Sequence, residues 1–62
     1  MNHKKFMRIN NSIVKKVDVR RIDVYDSFGY VYITGRKDPI MLKEYADATV
    51  QEQIDEIMGE LI

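Results

Sequence analysis

The stretch VYDSFGYVYITG, residues 24–35, decides how the rest of the chain is read. Side chains of a strand alternate between two faces, so period-2 patterning marks strands. Here Val24, Val31 and Ile33 fall on one face, and Tyr25, Tyr30 and Tyr32 fall on the other. Between them lies Ser27-Phe28-Gly29, where a glycine near the end of a short loop suits a hairpin that contains a left-handed residue. Residues 21–26 are therefore expected to pair with residues 30–36 through that turn.

Outward from this hairpin the chain reads as strands followed by one helix. Residues 5–10 form a first strand, Asn10-Asn11-Ser12 has the side chains of a tight turn, and a second strand begins at Ile13. The apolar parity slips by one between Val19 and Ile22, which a bulge or a single irregular turn would explain, with Arg20 and Arg21 at the slip. Pro39 in the turn at residues 35–39 means that the last strand starts at Ile40, and it runs to Asp47. Thr49 and Glu52 then fit a capping box. Val50, Ile54, Ile57, Met58 and Leu61 make one apolar stripe on a helix that ends near Leu61. Gly59 interrupts that helix as a packing or fraying position. The expected class is α+β: an antiparallel meander of three to five strands with one C-terminal amphipathic helix on one face. All 62 residues form a single domain, frayed over residues 1–5.

One short helix covers one sheet face, here assigned to Ile22, Val24, Val31, Ile33, Ile40 and Leu42. Tyr25, Tyr30, Tyr32, Met41 and Tyr45 then point the other way with Arg21 and Lys43. Soluble monomers rarely leave more than a few hundred Å² of contiguous apolar surface open, so this second face calls for a cover. Three covers fit: the N-terminal strands through Phe6, Ile9 or Val14, a second copy presenting the same patch, or a dedicated partner, since tyrosine is enriched at interfaces. A chain this short buries only about 60% of its unfolded surface and has no cysteine, so oligomerisation is the staple left to it, and a homodimer is expected.

Composition narrows the functional classes. No run approaches the length that spans a bilayer or forms a signal peptide, and the absence of cysteine leans toward the cytoplasm. Net charge is zero but bipolar: residues 1–37 carry nine Lys or Arg against three Asp, and residues 38–62 carry Lys43 against seven acids. Catalytic constellations are missing. His3 is alone near the N-terminus, Ser12 and Ser27 lie in turns with no positioned histidine, and Gly29 and Gly35 sit in hairpin turns rather than ahead of a helix. Glu52, Asp55 and Glu56 lack the loop that a calcium site requires. No enzyme activity, cofactor or metal is expected. Tyr30 and Tyr32 flanked by Arg20, Arg21, Arg36 and Lys37 combine stacking surfaces with phosphate-neutralising charge, which leaves single-stranded nucleic acid as an alternative ligand.

The segments FGYVYITG, IMLKEYADAT and TVQEQIDEIMGELI give a tyrosine-rich hairpin, a short connection and a helix opened by threonine. In that order they resemble the small uracil-DNA glycosylase inhibitors of Bacillus phages, over roughly the second half of the chain. The resemblance implies a dimeric, non-catalytic DNA mimic that blocks a DNA-processing enzyme in a bacterial cytoplasm. Glu44, Glu52, Asp55 and Glu56 would then imitate phosphates, while Tyr45 with Leu42 would anchor an apolar loop. The FMRIN opening, the several strands and the last helix also resemble short FlbD-like flagellar proteins, which implies a motility or regulatory role. The basic first 37 residues depart from the acidic character of the inhibitors.

Overall fold

A computed structural model describes residues 4–62, and His3 lies outside them. The elements in chain order are β1 (Phe6–Ile9), β2 (Ser12–Lys15), a 3₁₀ turn (Lys16–Asp18), β3 (Val19–Tyr25), β4 (Phe28–Ile33), β5 (Ile40–Lys43) and α1 (Val50–Leu61). β1 and β2 form a two-stranded hairpin, and β3, β4 and β5 form an antiparallel meander in that spatial order. This is the expected α+β architecture of short strands followed by one helix.

Local chemistry accounts for the connections. The first hairpin turns on Asn10 and Asn11, with Ile9 opposite Ser12, and Asn10 takes a left-handed φ of 54°. Asparagine tolerates that conformation better than most side chains. The parity slip is real: the 3₁₀ turn precedes it, and the β3–β4 register shifts between Val19 and Arg21. Gly35, at φ 87°, opens the loop that leads to Pro39 and β5. Lys5 is not loose, because its carbonyl accepts from Lys16 N–H at 2.9 Å.

The central turn differs from expectation. Tyr25 pairs directly with Phe28, so the loop is Asp26-Ser27, and Asp26 takes the left-handed φ of 53°. Gly29 is instead a strand residue, buried in β4 opposite Val24 on one side and Leu42 on the other. Its role is space. A Cβ built there would lie 3.1 Å from Val50 Cγ1 and 3.4 Å from Leu42 Cβ and Cδ1. Glycine thus lets the first turn of α1 settle directly on the sheet.

Ten buried residues form one core: Met7, Ile9 and Val14 from the N-terminal hairpin, Val31, Ile33, Ile40 and Leu42 from the meander, and Val50, Ile54 and Ile57 from α1. Val31 and Leu42 are sealed, at 0% and 1% exposure. Hairpin and helix therefore share one side of the meander. Three further expectations are corrected. Val24, assigned to the covered face, is 52% exposed because it lies on edge strand β3 beyond the reach of the helix. β5 stops at Lys43, since Tyr45 and Ala48 bond to each other across a tight loop that reverses the chain into the helix. Gly59 has open space where a Cβ would stand, so of its two readings, packing and fraying, the packing one falls.

Polar contacts fasten the parts. Asn10 Nδ2 donates to Met41 O at 2.8 Å, tying the hairpin to β5. Gln53 Nε2 donates to Lys43 O at 2.8 Å, tying the helix to the same strand. Lys16 and Glu60 meet at 3.6 Å and join the basic and acidic halves of the chain.

The packing at Gly29 is testable through its partner. Gly29→Ala is expected to cost about 1 kcal/mol, because overpacking at a closed contact outweighs the entropy gained on removing glycine. Combined with Val50→Ala, the loss in urea denaturation should be smaller than the sum of the two single losses by about 1 kcal/mol. Strictly additive losses would show that residues 29 and 50 do not compete for the same space.

Candidate functional site

The side of the meander away from the core is built by register. Arg21 lies opposite Tyr32, Asp23 opposite Tyr30, and Tyr25 opposite Phe28. Met41 lies beyond Tyr30, and Lys43 beyond Phe28. Strand alternation sends all eight side chains to the same face. Tyr25 is 62% exposed, Met41 and Phe28 are also open, and Tyr30 and Tyr32 are half-buried against their neighbours. The N-terminal strands do not cover this face, because Met7, Ile9 and Val14 are spent on the core beside the helix. Phe28, expected in a turn, belongs to the face once the loop is shortened to two residues.

Two contacts order the aromatic side chains. The rings of Tyr25 and Tyr30 meet edge to face with centroids 6.0 Å apart. That is a favoured arrangement for aromatic quadrupoles. The Arg21 guanidinium lies 4.4 Å from the centre of the Tyr32 ring, and its Nε donates to Asp23 Oδ2 at 3.2 Å. Tyr32 first, through its side chain, and then Asp23, through its charge, raise the Arg21 pKa above its ordinary value. Arg21 thus lies across the Tyr32 ring while most of its side chain stays in water.

Charge is distributed along this face. Val19 pairs with Ile33, and Thr34 N–H donates to Asp18 O at 2.8 Å, so the loop carrying Arg36 and Lys37 lies at the same end of the meander as Arg20 and Arg21. The opposite end holds Asp26, Lys43, Glu44 and the exposed Tyr45. Arg20 itself turns toward the helix side, where it lines a groove with Asp55.

The six residues expected to touch a partner do not form one surface. Leu42 is buried at the centre of the core, as its pairing with Gly29 dictates, and cannot anchor anything outside. Glu44 Oε2 accepts from Val50 N–H at 2.8 Å. Glu52 Oε1 accepts from Thr49 N–H at 2.8 Å, while Thr49 Oγ1 accepts from Glu52 N–H at 3.1 Å. Both carboxylates therefore serve the helix N-terminus, where the backbone leaves free N–H groups and a partial positive charge. Asp55 accepts from Gln51 Nε2 and borders one groove, whereas Glu56 borders another on the opposite flank of α1. Tyr45 is exposed at the tight loop. By contrast, Tyr25, Tyr30, Tyr32 and Met41 do come together, on the face expected for them.

Among the described residues, no group of three or more His, Cys, Asp or Glu side chains is placed to hold a metal ion. No helix among them is long and apolar enough to cross a membrane. No family model, curated protein or solved structure matches the chain.

The two roles open to Glu44 separate by mutation. As a helix cap, Glu44→Ala should lower stability in urea denaturation by about 1 kcal/mol, similar to Thr49→Ala, with Glu44→Gln losing less because the amide oxygen still accepts. An unchanged midpoint for Glu44→Ala would return this carboxylate to the surface as a free contact residue.

Proposed function

We propose that this chain is a small non-catalytic protein-binding module that docks through the tyrosine face of its meander. The carrying observation is that a contiguous set of Tyr25, Phe28, Tyr30, Tyr32 and Met41 stands uncovered while hairpin and helix both pack on the other side. Its chemistry suits a protein partner. Aromatic residues, methionine and arginine are the types enriched at such interfaces, and the mixed charges of Arg21, Asp23, Asp26 and Lys43 supply a polar rim. Rings already ordered by their neighbours lose little freedom on docking.

The partner proposed from the resemblance to phage inhibitors is a DNA-processing enzyme such as uracil-DNA glycosylase, met in a bacterial cytoplasm. The geometry favours contact through the rings over phosphate mimicry by an acidic row. Glu44 and Glu52 are committed to the helix cap, and Asp55 and Glu56 sit on different flanks. One observation favours a second ligand class, single-stranded nucleic acid: the stack of Arg21 on Tyr32 beside the basic end formed by Arg20, Arg36 and Lys37.

The test uses purified protein in a glycosylase assay, with binding to labelled single-stranded DNA measured in parallel at low and high salt. Inhibition by the wild-type chain is expected, weakened about tenfold or more by Tyr25→Ser or Met41→Ser and retained in Asp55→Asn and Glu56→Gln. Loss of inhibition in the two acid variants alone would move the contact to the helix. Salt-sensitive DNA binding with no inhibition would replace the protein partner by nucleic acid. Absence of both activities would remove the proposed partner class.

A further inference from the structure

Edge strands are where sheets gain new neighbours, and the two edges of this meander are not alike. β5 is tied off on its outer side, where Met41 O accepts from Asn10 and Lys43 O accepts from Gln53. β3 is the other edge and, among the described residues, has no strand on its outer side. In a hairpin with a two-residue loop the pair flanking the loop is hydrogen-bonded, and bonding alternates from there. Tyr25, Asp23 and Arg21 therefore bond inward to β4, while Val24 and Ile22 turn their N–H and C=O groups outward. An open row of this kind is normally blunted.

Beside this edge lies a groove of about 490 Å³ between β3 and α1. Its walls include Ile22, Val24, Ile54, Met58 and Leu61, and Val24 and Met58 are 52% and 48% exposed. Met58 belongs to the apolar stripe of α1, yet none of the described residues seals it. Arg20 stands on the strand wall and Asp55 on the helix wall. The groove thus combines free backbone bonds, apolar anchors, and the charges of Arg20 and Arg21 opposite that of Asp55.

We propose that the occupant is β3 of a second copy, joined antiparallel about a two-fold axis at Ile22. The sequence of the edge selects this register. Centred on Ile22, each Arg21 faces Asp23 of the second copy in a non-hydrogen-bonded pair, where side chains approach most closely. Ile22 faces its own equivalent and exchanges both backbone bonds. Centring on Arg21 or on Asp23 would place like charges opposite each other, which is unfavourable. Centring on Val24 would set Asp23 against Tyr25 and push Arg21 past the end of the strand. In the same register Val24 of each copy lies opposite Arg20 of the other, at the point where the β3–β4 ladder shifts.

The product is a six-stranded sheet in which Arg21 stays on Tyr32 and both tyrosine faces lie side by side, open to a ligand. Dimerisation at the edge is independent of what binds that face. It also differs from a face-to-face dimer, which would bury the rings.

Light scattering and hydrogen exchange of the wild-type chain across micromolar concentrations test this. A species of twice the chain mass is expected, together with slowing of exchange at the Ile22 and Val24 amides as concentration rises. Asp23→Arg and Val24→Lys, with folding checked by circular dichroism, should each weaken association about tenfold or more. The double variant Arg21→Asp, Asp23→Arg should recover it, since the exchanged charges still face each other. A monomer at about 100 micromolar would overturn the proposal. So would a dimer indifferent to these changes but dissolved by Tyr30→Ser, which would place the contact on the rings. Failure here leaves the glycosylase and DNA assays free to succeed or fail on their own.

Discussion

The structure depends on a single close approach, the first turn of α1 resting on β4 at Gly29. Val50 Cγ1 stands 3.1 Å from where any other residue at position 29 would carry its Cβ, closer than side chains normally pack. With the helix that near the sheet, Ile54 and Ile57 reach the layer formed by Val31, Ile33, Ile40 and Leu42, and the remaining opening is closed by Met7, Ile9 and Val14. A chain of this size builds only one core, and here its buried apolar side chains all lie on one side of the meander. The exposed tyrosines follow from that economy. Once hairpin and helix share a single core, no element among the described residues lies across the other face.

The helix entrance shows the same concentration of purpose. Glu44 and Glu52 reach the first turn from opposite directions along the chain, and Gln53 Nε2 bonds both Lys43 O and Ala48 O, the latter at 3.4 Å. The tight loop at 44–49 is therefore held by side chains at both ends rather than by an apolar cluster of its own. Two carboxylates of the acidic half, Glu44 and Glu52, are turned back to the helix entrance by these bonds. Part of that half's charge is already engaged by the helix backbone.

Legibility in the sequence followed the range of the interaction concerned. The capping box and apolar stripe of α1 were readable because every partner lies within a few positions. The slip near Arg20 was readable because strand parity is a local rule. The turn between β3 and β4 was misplaced for the opposite reason: Gly29 looks like a loop glycine until Val50, twenty-one positions later, is set against it. Asp26, a permissible but less conspicuous left-handed residue, takes the turn instead. The tyrosine face was legible as alternation, and Phe28 was lost with the turn. Leu42 and Glu44 were read as contact residues because neighbours in sequence share a region but not a direction. Leu42 points into the core, while Glu44 is drawn back to Val50 N–H, six positions on.

Asn10 carries a consequence for the order of assembly. Its backbone makes the first turn, and its side-chain amide holds Met41 O across a sequence separation of 31. The first role needs only β1 and β2, whereas the second needs β5 already in place. The N-terminal hairpin can therefore form early as an isolated, weakly stable unit, and dock late, when the meander offers it a carbonyl to grasp. Replacing Asn10 by glycine would keep the bend and remove the clasp, leaving the early event intact and weakening the late one.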